Sequence, residues 1–292
     1  MKSLLIPTDF SPAADNAARY AIHLAKKLKA EIILCTAIKV PAESVVGAQA
    51  AWPLEDYDSL KKNAETELEY LVKKLSQEEQ AMDDQNSFHP KFSYTSGVGE
   101  VADYVRNLAN ENKTNMVIIG MSGAGSFSRF FLGSNSKKMI EKFDFPLLVI
   151  PANADCKGIK KISFATDLSS QDIEILTSLA CFARPFNAEI LITYVIQDNN
   201  IHTEQKRIDN FLSDVTCKVD YPNIYYRSIQ SSNVNEGVNW LTENGHIDIM
   251  AMVHRQEPFF TKLFKISNAP QLAKSIRVPL LIFPENFKRV LI

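Results

Sequence analysis

The sequence predicts an α/β fold of two successive, related halves, each a doubly wound, parallel five-stranded sheet with helices on both faces. Three observations carry this. Short, almost unbroken apolar runs (Leu4-Leu5-Ile6, Ile32-Ile33-Leu34, Met116-Val117-Ile118-Ile119 and Leu147-Leu148-Val149-Ile150) have the length and composition of strands buried on both faces. Longer amphipathic stretches separate them, as strand–helix–strand crossovers require. The chain also repeats itself, so whatever the first half builds the second builds again.

In the first half, Lys2 to Pro7 reads as a strand and Ala13 to Leu28 as an amphipathic helix, with Ser11 or Asp15 contributing to its N-terminal cap and Pro12 tolerated in its first turn. Glu31 to Ile38 is a second buried strand. Ala42 to Asp58, with Gly47, Pro53 and mixed polarity, is expected to be a long loop, followed by a helix around Leu60 to Ser76 with Glu67, Lys73 and Lys74 on its wet face. Lys91 to Thr95 is a third strand and Val101 to Asn110 a third helix. Met116 to Ile119 and Leu147 to Ile150 complete the sheet, with a helix-like segment from Asn135 to Phe143 between them.

The repeat is explicit. Thr8-Asp9-Phe10-Ser11 matches Thr166-Asp167-Leu168-Ser169, and Ala30-Glu31-Ile32 matches Ala188-Glu189-Ile190, both at an offset of 158. Later the offset becomes 133: Pro146-Leu147-Leu148-Val149-Ile150-Pro151 matches Pro279-Leu280-Leu281-Ile282-Phe283-Pro284, and Ser134-Asn135 matches Ser267-Asn268. The second half is therefore shorter by 25 residues, the difference between offsets of 158 and 133. We expect one domain over residues 1–152 and a second over 158–292, joined by a short linker from Ala152 to Gly158.

Bulk composition narrows the function. With 292 residues, 46% hydrophobic and 23% charged, the chain is long enough for two globular domains. A formal charge of −2 gives no reason to expect nucleic acid or an anionic membrane as partner. No apolar run approaches the ~20 residues that span a bilayer. A strand-like segment directly behind Met1-Lys2 leaves no place for a signal peptide, so a cytoplasmic protein is expected. Cys35, Cys156, Cys181 and Cys217 are scattered without metal-ligand or disulfide-framework spacing, and read as reduced core or surface thiols. His23, His89, His202, His246 and His254 show no metal-ligand spacing either.

The most specific motif runs from Gly120 to Ser134: Gly120-Met121-Ser122-Gly123, nine residues, then Gly133-Ser134. Glycines directly after a buried strand allow a ligand close to the backbone, and Gly-Ser at a helix start offers amide groups to an anion. The spacing suits a nucleotide whose phosphates rest on a helix N-terminus. It is not a Walker A loop, because no Gly-Lys-Ser/Thr follows, nor a dinucleotide fingerprint after the first strand. A flexible turn is the plain alternative, and Asp9 by itself reads equally as an Asx-turn or helix cap in Asp9-Phe10-Ser11-Pro12.

The spacing Gly-x2-Gly-x9-Gly-Ser resembles that of the ATP-binding universal stress proteins, and the repeat extends the resemblance over both halves. The resemblance implies an adenine nucleotide alpha hydrolase-like fold with strand order 3-2-1-4-5. It also implies a site in which Gly120, Met121, Gly123, Gly133, Ser134 and Asn135 hold the phosphates of ATP, with or without Mg²⁺. Pro7, Thr8, Asp9 and the turn near Ala37 would hold adenine and ribose, Asp9 also serving its turn. It further implies that the two halves pair through Leu147 to Ile150 and Leu280 to Phe283, as a fused version of the family's dimer. That pairing is expected to set the first half's nucleotide site opposite the second half's degenerate loop. A homodimer of the whole chain and an unidentified protein partner remain open.

The second half departs from the motif, with Val253, Gln256 and Ile266 at the positions of Gly120, Gly123 and Gly133 and with Glu257-Pro258 in the loop. Side chains there take the space of phosphates, so this half is not expected to bind ATP. His254-Arg255 reads as an anion clamp or, preferably, as a solvated, repurposed loop. The expected function is a nucleotide-responsive binding module of stress response. A slow ATP-hydrolysing enzyme and a ligand-free dimerisation scaffold are the alternatives from other classes; no base accompanies the loop.

Overall fold

A computed structural model describes residues 2–38, 55–82, 87–121, 138–140, 143–156, 158–196, 201–231, 234–255, 278–285, 287 and 291. In β1 (Lys2–Pro7), Leu4 and Ile6 turn to one face of the sheet and Leu5 to the other, and all three are fully buried. The helix α1 (Pro12–Leu28) starts where Ser11 Oγ accepts the amide of Ala14 at 3.3 Å, with Pro12 in the first turn. Its buried face is largely alanine (Ala14, Ala17, Ala18, Ala21 and Ala25), which lets it lie close on the strands. Lys29, in the left-handed region at φ 55, ends the helix and returns the chain to β2 (Ala30–Ile38).

The helix α2 (Glu55–Ala81) begins inside the segment expected to be loop and runs beyond Ser76. Tertiary contacts extend it. Leu68, Leu71 and Leu75 continue a buried stripe to Glu79, which is buried against Lys26 Nζ at 3.1 Å and His89 Nδ1 at 3.0 Å, while Glu78 accepts Arg19 Nε at 2.8 Å. Lys74 is not on a purely wet face either, since it donates to Asp15 at 2.9 Å. Next come β3 (Phe92–Val98), which ends three residues later than expected because its ladder with β2 continues to the Ile38–Val98 pair, and α3 (Val101–Glu111). Then follow β4 (Met116–Met121) and β5 (Leu147–Pro151).

The second half repeats this with β6 (Lys161–Ala165), α4 (Asp172–Ala183), β7 (Glu189–Ile196), α5 (Ile201–Lys218), β8 (Ile224–Gln230), α6 (Val234–Asn244), β9 (Ile249–His254) and β10 (Leu280–Pro284). The ten strands form one sheet in the order β3-β2-β1-β4-β5-β10-β9-β6-β7-β8, so each half reads 3-2-1-4-5 outward-in. All neighbours within a half are parallel.

The halves join where β5 and β10 pair antiparallel, Leu280 opposite Val149, Leu281 opposite Leu148 and Ile282 opposite Leu147. Leu148 and Leu281 are fully buried in the layer under α1, α2 and α4, while Leu147, Val149, Leu280 and Ile282 are buried in the layer under α3 and α6. Both apolar layers therefore run unbroken across the junction, and two edges that would otherwise be exposed are covered by each other. Asn16 fixes the exit from β5, its Nδ2 donating to the carbonyls of Pro151 (3.1 Å) and Ala154 (3.0 Å). The antiparallel pairing corrects one expectation: the carboxyl ends of β4 and β9 point to opposite ends of the sheet and do not face each other.

Candidate functional site

β1 lies between β2 and β4, and the chain winds outward on one side through β2 and on the other through β4 and β5. The carboxyl ends of β1 and β4 are thus neighbours at the reversal of strand order, where a crevice opens in doubly wound sheets. Pro7, Thr8 and Asp9 stand at the end of β1, Gly120 and Met121 at the end of β4, and Ala37 at the end of β2 on the other side of β1. Gly123, Gly133, Ser134 and Asn135 lie outside the described residues.

The turn after β1 is built by its own side chains. Thr8 Oγ1 accepts the amide of Phe10 at 3.0 Å and Asp9 Oδ1 accepts the amide of Ser11 at 3.1 Å, holding Phe10 at φ 60. Thr8 is buried and tied to β2 twice: its amide donates to the Cys35 carbonyl at 2.8 Å, and its carbonyl accepts Thr36 Oγ1 at 2.9 Å. Asp9 is exposed; Ser11, not Asp9 or Asp15, caps α1. Asp15 in the first turn instead pairs with Lys74. Ser11 N is the one partner of the Asp9 carboxylate among the described residues, which leaves acceptor capacity on an exposed carboxylate.

Gly120 has a reason in packing that the motif did not reveal. A Cβ there would stand 2.2 Å from the Ala13 carbonyl oxygen and 2.8 Å from the Ala14 nitrogen, both backbone atoms. The missing side chain lets the start of α1 rest directly on β4 and draws the Thr8–Ser11 turn against it. Met121 is buried in the layer under α3, so what it offers a ligand is backbone.

The second half makes the same turn. Thr166 Oγ1 accepts the Leu168 amide at 2.8 Å, Asp167 Oδ1 accepts the Ser169 amide at 3.1 Å, and Leu168 sits at φ 63. Its helix starts later: Asp172, which the 158 offset aligns with Ala14, is the first residue of α4, whereas α1 starts at Pro12. In this half the counterpart of Gly120 is a buried valine, Val253. Asp172 is fully buried. Its carboxylate takes the Thr166 hydroxyl at 2.5 Å and an ion pair from Arg255, whose other guanidinium nitrogen reaches Asp167 Oδ1 at 2.9 Å. Burial pushes the Asp172 carboxyl up, while Arg255 and Thr166 pull it back toward the ionised form. Arg255 is therefore neither an open anion clamp nor solvated; its side chain is 15% exposed and bridges two carboxylates. Glu257, Gln256 and Ile266 lie outside the described residues.

No group of three metal-ligating side chains converges among the described residues, and the cysteines there are unpaired, Cys35 buried and Cys217 exposed. No helix among them is long and apolar enough to cross a membrane.

A doubly wound parallel sheet with its switch point between the first and fourth strands, built twice in one chain, defines a class of tandem α/β proteins. A model of the universal stress protein family matches residues 1–151, and the chain belongs to that family. The universal stress protein MJ0531 of Methanocaldococcus jannaschii is 27% identical over 149 residues, which are 51% of this chain and 81% of that protein. Among solved structures, a universal stress protein from Archaeoglobus fulgidus superposes with a TM-score of 0.69 at 15% identity, covering 97% of this chain and 98% of that one. A putative universal stress protein from Pseudomonas aeruginosa reaches 0.60 at 9% identity, covering 97% and 93%. At such identities these superpositions speak for the fold, in both halves.

Proposed function

We propose that this universal stress protein binds one adenine nucleotide, ATP, through residues 1–152 and acts as a nucleotide-responsive binding module in a stress response, the domain over 158–292 serving as a degenerate partner. One observation supports the reading: β4 ends at Met121 next to β1, whose end carries the Thr8–Asp9 turn, so the glycine motif starts at the switch point of the first half. Asp9, with acceptor capacity left over from its turn, suits hydrogen-bond donors of the adenosine part, and Pro7, Thr8 and Ala37 wall that end. Gly123, Gly133, Ser134 and Asn135 are assigned to the phosphates, with Mg²⁺ riding on the nucleotide rather than on a protein cluster.

Calorimetric titration with ATP tests this. The expected stoichiometry is near one per chain, and Gly123→Val or Gly133→Val removes binding by setting a side chain where phosphate rests. Undiminished binding in both variants refutes the site, and a stoichiometry of two refutes the assignment to one half.

A further inference from the structure

We infer that Arg255 is the built-in occupant of the second half's crevice: its guanidinium, held by Asp167 and Asp172, takes the place that the first half's turn keeps for a ligand. The comparison with the first half rests on the nucleotide reading proposed above. The ion bridge itself does not.

The two turns are the same construction, with the same Thr and Asp hydrogen bonds and the same left-handed residue between them. What differs is what meets the Asp. Asp9 meets only its own turn among the described residues, whereas Asp167 also receives Arg255 at 2.9 Å. Two changes in the second half make this work together. Ala14 is replaced by the buried Asp172, and Ser122 by Arg255 at the matching offsets of 158 and 133. Neither change stands alone. A fully buried carboxylate without its cation, or an enclosed guanidinium without an anion, loses its hydration uncompensated. Thr166 completes the arrangement, accepting within the turn while donating to Asp172. On the outer side, Arg207 of α5 donates to the Asp167 carbonyl at 3.1 Å and is itself held by Glu204 at 2.8 Å.

The bridge therefore ties three elements at the carboxyl ends of β6 and β9: the turn, the first residue of α4 and the end of β9. It excludes an anion there in two ways. Arg255 spends its charge internally, and the two carboxylates facing it outnumber it, so an entering phosphate meets net negative charge. The second half is a permanently closed counterpart of the first, and a ligand is not needed to order its turn.

Amide hydrogen exchange on the full chain tests this in the absence of nucleotide. The hydrogen-bonded amides of Asp172 and Ile173, which donate to the carbonyls of Ser169 and Ser170, report on the second turn. Asp15, which donates to Ser11, reports on the first. Arg255→Met is expected to speed exchange at 172–173 at least tenfold and to leave Asp15 unchanged. Arg255→Lys, which keeps the charge but cannot bridge two carboxylates in a fork, is expected to fall between. Should Arg255→Met not fold, Asp167→Asn serves instead, because it keeps the buried Asp172–Arg255 pair and loses only the outer arm; a severalfold acceleration at 172–173 is expected. Exchange at 172–173 unchanged in the folded variants overturns the inference. These amides read the same way whether or not the first half binds ATP, so failure here and failure of the nucleotide assignment are separate results.

Discussion

Placing alanine at Gly120 sets a methyl carbon 2.2 Å from the Ala13 carbonyl oxygen and 2.4 Å from its carbonyl carbon. Both atoms belong to the backbone at the start of α1, so no side-chain rotation relieves the clash. Restoring ordinary contact at 3.4 Å moves the helix start by about 1.2 Å. Overpacking of this kind typically costs about 1–3 kcal/mol, and at about 2–4 °C per kcal/mol the midpoint should fall by roughly 2–12 °C. Ser11 and the Thr8–Asp9 turn move with the helix, so nucleotide affinity should fall as well. Thermal and urea unfolding, with and without ATP, measure both effects. The second half supplies the control, because its counterpart position already holds the buried Val253; Val253→Ala there should cost only the lost burial of its methyl groups, about 1–2 kcal/mol. A Gly120→Ala protein within about 0.5 kcal/mol of wild type would falsify the packing role assigned to that glycine.

At the junction, Leu148→Ala removes a fully buried side chain from the layer shared by both halves and should cost about 2–5 kcal/mol in denaturant unfolding; a loss under 1 kcal/mol would speak against a shared core. Burial lowers the His23 pKa, so the unfolded chain binds the proton more tightly and stability must decline as pH falls through the ordinary histidine value near ~6.5. His23→Gln should flatten the stability profile between about pH 7 and 5, and an unchanged slope would remove His23 as its source. ATP turnover should stay well below the roughly 1 per second at the low end of typical enzymes; sustained Mg²⁺-dependent hydrolysis above that rate, lost in Asp9→Ala, would favour the enzyme reading.

The amino-acid sequence by itself determined the strands, the helices between them, the two-fold repetition and the glycine spacing that leads to the nucleotide proposal. Each of these depends on neighbours within a few positions, or on one half compared with the other. Leu4-Leu5-Ile6 is a strand because both its faces are apolar, and Ser11-Pro12 starts a helix wherever the chain goes next. Tertiary structure decided what depends on distant backbone. The true extent of α2 was hidden because Glu79 joins a helix only through its pairing with Lys26 and His89. Gly120 looked like a ligand glycine, and only the approach of Ala13, more than a hundred residues earlier, gives it a packing reason. Arg255 read as a solvated loop residue because its carboxylates, Asp167 and Asp172, sit 88 and 83 positions away, beyond the reach of any local pattern. Side-chain periodicity specifies which face is buried; which charge meets which is fixed only when the sheet brings strand ends together.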